Sequence, residues 1–173
     1  HYTPPSVSLL SSVHLYLLLM TFLSSINHSF KSGKVVIVLS GRYTGRTAVV
    51  VKASDEGNAN KRFGHCLVAG LDRAPRKIVK AMSKKKQEKR SKVKPFLKLL
   101  NYNHIMPTRY SVDFDMKKEV TGDVPTDKGE KTKWRKDQQA KLKTLFEDKY
   151  INQTSVKDRK ASGAAYFFQK LRF

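Results

Sequence analysis

Gly33-Lys34-Val35-Val36-Ile37-Val38-Leu39-Ser40-Gly41-Arg42-Tyr43-Thr44-Gly45-Arg46-Thr47-Ala48-Val49-Val50-Val51 is the stretch whose reading decides the fold. Val35 to Leu39 is a mostly β-branched run of strand length with no helical period, and Thr47 to Val51 is a second. Between them, Ser40 to Gly45 places two glycines in six residues. Strand, short Gly-containing loop and strand read as a β-hairpin. Working outward, Asp55-Glu56-Gly57-Asn58 is a turn cluster, and His65 to Ala69 reads as a third strand. Ala74-Pro75 breaks that strand, and Lys77-Ile78-Val79 is the candidate start of a fourth. Short strands at this spacing, with turn chemistry between them, predict a small β-barrel.

The chain around this hairpin has 173 residues, with 35 Lys plus Arg against 14 Asp plus Glu and a formal charge of +21. That length suits one domain with tails. A compact body this basic repels itself unless polyanions neutralise it, so nucleic acid is the first expected partner and an acidic membrane surface the second. The single cysteine, Cys66, excludes an internal disulfide and a Cys-based zinc site, and it points to a reducing compartment. The charge is uneven. Residues 1–30 hold no Lys, Arg, Asp or Glu, and Val7 to Leu23 is a mostly apolar run of 17 residues. A secretory signal would open on positive charge, and a membrane span needs about 20 apolar residues. The expectation is therefore that residues 1–29 are a dispensable extension or an artefact of a misassigned start, outside the working protein.

From Arg76 to Lys98 the balance reverses, with eleven Lys or Arg and one acid, Glu88. Such a segment cannot hold itself by core packing. A block of like charge is either a solvated face or a polyanion-binding arm. The crowding of Lys84, Lys85, Lys86, Lys89 and Arg90 favours the arm, and the same cluster suits nuclear import. Asn101 to Tyr110 is polar and aromatic; Pro107 biases Met106 to extended backbone and predicts a rigid loop. Residues 130–150 predict an amphipathic helix, with Trp134, Leu142, Leu145, Phe146 and Tyr150 near one stripe. The end, Tyr166 to Phe173, holds four aromatics and two cations, and is expected to pack back on the barrel or insert among RNA helices.

Gly33 to Arg46 resembles a KOW motif, which sits on SH3-like barrels that bind RNA in ribosomal proteins and transcription elongation factors. Three further stretches sharpen the resemblance: His65 to Leu71 ahead of Arg73-Ala74-Pro75-Arg76-Lys77, Asn101 to Tyr110, and Phe167 to Phe173. In this order they resemble the eukaryotic-type large-subunit ribosomal protein twenty-seven family, from residue 30 to 173. The chain departs from that pattern in residues 1–29, weakly matched Met116 to Thr132, an apparent insertion from Ile151 to Lys160, and Tyr166 in place of the usual Trp. The resemblance implies a mostly β fold with appended α. An SH3-like barrel with its basic segment and RNA-binding loop would occupy residues 30–115, and a C-terminal helix with an aromatic-basic tail residues 116–173. It also implies a structural role in the large (60S) subunit of the eukaryotic cytosolic ribosome, reached through a nucleolar assembly phase. Large-subunit rRNA and neighbouring ribosomal proteins would be the partners, with no cofactor, small-molecule substrate or membrane.

The residues expected to meet RNA follow from their chemistry. Arg42, Tyr43 and Arg46 sit on the hairpin loop, where glycines allow close backbone approach. Tyr43 either stacks on a base or packs beneath the loop. Arg73, Arg76, Lys77, Lys80, Lys84, Lys85, Lys86, Lys89, Arg90, Lys92 and Lys94 supply phosphate ligands along the basic segment, and Lys170 and Arg172 do so near the end. Asn103, His104, Arg109 and Tyr110 offer contacts to phosphates and 2′-hydroxyls, although asparagines in such a loop equally cap their own backbone. Catalysis is not expected. There is no Walker loop, HExxH or GxSxG. Residues 31–112 carry only four carboxylates, Asp55, Glu56, Asp72 and Glu88, and adjacent strand positions turn His65 and Cys66 to opposite faces. The alternative from another class is a free KOW-type regulator of transcription or chromatin, and a third is a membrane-anchored basic protein.

Overall fold

Neighbouring valines on a strand point to opposite faces, so a sheet built from Val35-Val36 and Val49-Val50 needs cover on both sides. A computed structural model of the chain describes residues 30–58, 61–120, 122, 124–154 and 163–171 and shows how that cover is supplied. Five strands, β1 (Lys34–Val38), β2 (Thr47–Ser54), β3 (His65–Arg73), β4 (Lys94–Asn101) and β5 (Ile105–Ser111), form one antiparallel sheet in the order β4-β3-β2-β1-β5. Among the described residues there are four α-helices: α1 (Lys84–Ser91), α2 (Met116–Glu119), α3 (Lys128–Thr154) and α4 (Gly163–Phe168). The fold is mostly β with appended α, as expected. The sheet is not a closed barrel: β4 and β5 are its edges, linked by a 3-10 turn, Tyr102–His104, with no ladder between them among the described residues. Residues 1–29, Ser155 to Lys160 of the apparent insertion, and Arg172 lie outside the described residues.

One sheet face buries Val36, Val38, Ala48, Val50, Cys66, Val68, Phe96 and Leu100, closed off by Phe30, Tyr102 and Ile105. The other buries Val35, Val49, Val51, Leu67, Ala69, Leu71 and Leu97 against Leu142 and Phe146 of α3, Phe167 and Phe168 of α4, and Phe114, Met116 and Val120. Burial on both faces is why the strands read as continuous apolar runs instead of alternating ones. The expected stripe on α3 is observed, with Trp134, Leu145 and Tyr150 packed beside the buried Leu142 and Phe146. Asp127 starts that helix, its Oδ2 accepting from Gly129 N at 2.8 Å and Glu130 N at 3.2 Å. Those two amides, Glu130's first, hold its carboxyl below the usual range. The C-terminal aromatics do pack back on the sheet: Thr47 Oγ1 donates to Phe167 O at 3.0 Å.

Two expectations are corrected. Lys77 to Val79 is not a strand; the segment is irregular and tied by its backbone, with Arg76 N donating to Arg90 O at 2.9 Å and Tyr150 Oη to Arg76 O at 3.2 Å. The fourth strand begins instead at Lys94, inside the basic block. Nor is Asn101 to Tyr110 a loop throughout, since Ile105–Ser111 is β5. Pro107 is accommodated because β5 is a sheet edge. Opposite it the pairing slips between Lys34 and Val36, and Thr108 Oγ1 repairs the gap by donating to Val35 O at 2.7 Å.

Candidate nucleic-acid interface

The hairpin loop is built by two short turns. Thr44 N donates to Gly41 O and Arg46 N to Tyr43 O, each at 3.1 Å, and Val38 N to Arg46 O at 3.0 Å closes the base. Gly41 and Gly45 take φ of 91° and 72°, values that side chains resist. Arg42 is thereby left exposed at the tip. Tyr43 turns back, stacked on Phe96 at 4.0 Å and 4°. One face of its ring is thus committed to packing beneath the loop, and a base could reach only the other. The cations of Arg42 and Lys98 each lie 5.8 Å from the ring centroid.

Arg73 and Lys94 are register partners at one end of the β3–β4 pair, so two expected phosphate ligands stand side by side. They line, with Arg42 and Tyr43, a cleft of about 460 Å³ whose far wall is α3, through Lys136, Gln139, Ala140 and Lys143. The helix is fixed there by Leu142 and Phe146 and by Glu147, whose Oε1 accepts from Val93 N at 3.2 Å. Sequence reasoning did not identify Lys136 and Lys143. Their i, i+7 spacing was legible, but the sheet corner they face was not.

The remaining expected ligands fall into two further groups. In the first, Lys84, Lys85, Lys86 and Lys89 are exposed on α1 with Lys77, Lys80 and Lys92 beside it. Arg90 braces this unit, its Nη1 donating to Lys77 O at 3.0 Å. In the second, Asn103 and His104 are exposed on the 3-10 turn, held against the end of β1 by Leu39 N donating to His104 O at 2.8 Å. The Asn101 side chain accepts from Asn103 N at 3.0 Å, so Asn101 caps its own turn while Asn103 keeps its side chain outward. Arg109 lies over Tyr110, 5.1 Å from its centroid, and Tyr110 stacks on Tyr166 at 4.4 Å. Arg46 is half-buried and Lys170 exposed.

Cys66 is fully buried, and burial pushes its thiol up to about 12. Tyr102 is raised by burial and by donating to Asp55 Oδ1 at 2.5 Å, a bond that pins the turn to the end of β2. Among the described residues, no three His, Cys, Asp or Glu side chains gather as a metal would require, and no helix is long and apolar enough to cross a membrane. The model of the Ribosomal L27e protein family matches residues 35–173, a span that takes in the sheet core, the basic segment and all four helices. With more than half of its length matched, and the hairpin, basic segment and aromatic C-terminus inside the match, the chain belongs to the Ribosomal L27e protein family.

Proposed function

We propose that the chain binds and stabilises rRNA in the large (60S) subunit of the eukaryotic cytosolic ribosome and does no catalysis. As a member of a ribosomal protein family it is a structural constituent of the ribosome. The finer reading is carried by one observation. The expected ligands stand on the hairpin loop, the β3–β4 corner, α1, the 3-10 turn and β5. Among the described residues only Lys94 of their cations has an ion pair, with Asp72 at 3.0 Å. Charge held this way on separate rigid elements, mostly facing outward and without a neighbouring carboxylate, is what bridging several RNA segments requires. Residues 30–115 would position the RNA-facing loops, and residues 116–173 would lock them to the sheet. The partners are large-subunit rRNA and adjacent ribosomal proteins, met first in the nucleolus and then in the cytoplasm.

Replacing Lys84, Lys85 and Lys86 with Ala tests the basic helix. All three are exposed and Ala favours helix, so the fold should persist. Each lost phosphate contact lowers the slope of log affinity against log salt by roughly 0.7–0.9, so the triple variant should lose about 2.1–2.7. The measurement is binding of the full chain to a large-subunit rRNA transcript across a salt series. An unchanged slope would remove α1 from the interface.

A further inference from the structure

The cleft between the hairpin loop and α3 gathers five cations, Arg42, Arg73, Lys94, Lys136 and Lys143, around a single lining carboxylate, Asp72. Asp72 is already held by Lys94 at 3.0 Å, so it offers the other four little relief. These charges do not meet through flexible chain. Arg73 and Lys94 are locked in register, Arg42 rides on a loop anchored by the Tyr43–Phe96 stack, and α3 is seated by the fully buried Leu142 and Phe146. Apolar packing therefore brings like charges together and holds them, at a cost in self-repulsion that an anion in the cleft would remove. On α3 the spacing 136, 139, 140, 143 puts both lysines on one helix face. Ala140 stands between them, leaving space in the middle of that wall.

We infer that this cleft takes consecutive phosphates of an rRNA strand, with Lys136 and Lys143 on one side and Arg42 and Arg73 on the other. The inference rests on the rRNA reading above and adds to it an RNA-binding face on the C-terminal helix. The lining favours a polyanion over a small metabolite. Five long cations face one carboxylate there, and the apolar lining is limited to Tyr43, Val93, Pro95 and Ala140, whereas small-molecule sites are lined mainly by apolar groups with a few placed polar ones. A strand passing here would touch the sheet and α3 together, so binding would clamp the two layers.

The test compares two doubles of equal net charge in the full chain: Lys136→Gln with Lys143→Gln in the cleft, and Lys133→Gln with Lys141→Gln, exposed on the same helix outside it. Binding to a labelled large-subunit rRNA transcript is measured across a salt series. The cleft double should lower the log–log slope by about 1.5, two contacts' worth, and the outer double by less than half as much. Asp72→Asn, which removes the cleft's carboxylate, should tighten binding. Equal losses in the two doubles would overturn the inference, because the lysines would then report net charge alone. A cleft double that selectively loses polyglutamate binding while keeping rRNA would also overturn it, assigning the cleft to an acidic protein. If the unaltered chain fails to bind rRNA at all, the rRNA reading itself falls and the cleft assignment with it.

Discussion

Phe146→Ala should lower the stability of the chain by about 3–5 kcal/mol, the usual cost of emptying an aromatic site in a core. Phe146 is fully buried and stands at the centre of an aromatic cluster, with ring centroids 5.2 Å from Phe167, 6.1 Å from Phe114 and 6.4 Å from Phe168. Those rings come from α3, α4 and the segment after β5, so one truncation loosens everything that covers the outer sheet face. Helix α4 is short and the sheet residues on this face are fixed in their strands, so little can collapse into the void. Domains are stable by only about 5–15 kcal/mol in total. A drop in melting temperature of roughly 10 °C is therefore expected, followed by urea or heat unfolding on the single tryptophan, Trp134. Leu39→Ala is the control: Leu39 is 49% exposed and should change stability by no more than about 0.5 kcal/mol. Equal shifts in the two variants would show that the cluster is not what holds the helices on.

Gly70→Ala should cost about 3 kcal/mol, although it adds one methyl group. A Cβ at Gly70 would stand 2.5 Å from Phe96 Cζ and 2.6 Å from Thr47 O. Overpacking of this kind usually costs 1–3 kcal/mol, and here neither neighbour moves freely. Phe96 is pinned by its stack on Tyr43, and Thr47 O is backbone at the start of β2, where Thr47 is paired with Ile37 of β1. If the strand holds, the Phe96 ring must shift and release Tyr43, which carries the Arg42 loop. Binding of rRNA should then weaken more than the stability loss alone accounts for. Phe96→Leu in the same chain removes the outer ring atoms and should restore part of the stability, but not the Thr47 contact. A Gly70→Ala protein of unchanged stability would mean the sheet is looser at this point than the close approach implies. Full rescue by Phe96→Leu would assign the whole cost to the ring.

The parts of the fold that were legible are those whose local pattern matches their final environment. Strands β1, β2 and β3 are buried on both faces, so their apolar runs are uninterrupted and announce themselves. Helix α3 shows its stripe because one side packs and the other is wet. Strand β4 was hidden because Lys94, Pro95 and Lys98 interrupt it within a block of charge. Lys94 reaches Asp72 and Lys98 reaches the hairpin loop, and both arrangements depend on residues far away in sequence. Strand β5 was hidden by Pro107, a loop signal in isolation and a tolerated residue at a sheet edge. For the interface, the exposed cations of the basic segment were readable from charge density. Lys136 and Lys143 were not, since lysine on a helix surface normally means a solvated face. Only the seating of α3 against the β3–β4 corner turns them into one wall of a cleft. Tyr43 lay between its two expected roles: the structure commits one ring face to Phe96 and leaves the other to be used.

An integral, RNA-held part of the large subunit should stay with that subunit when salt strips loosely bound basic proteins. The direct measurement is sucrose-gradient sedimentation of a cell lysate at moderate and high salt, quantifying the chain in each fraction against known large-subunit proteins. Stoichiometric co-migration with free large subunits and polysomes is expected, retained after the high-salt wash because the contacts are distributed over several rigid elements. Migration as free protein at both salts, or with chromatin or membranes, would contradict it and leave only a basic RNA-binding fold without a place in the subunit.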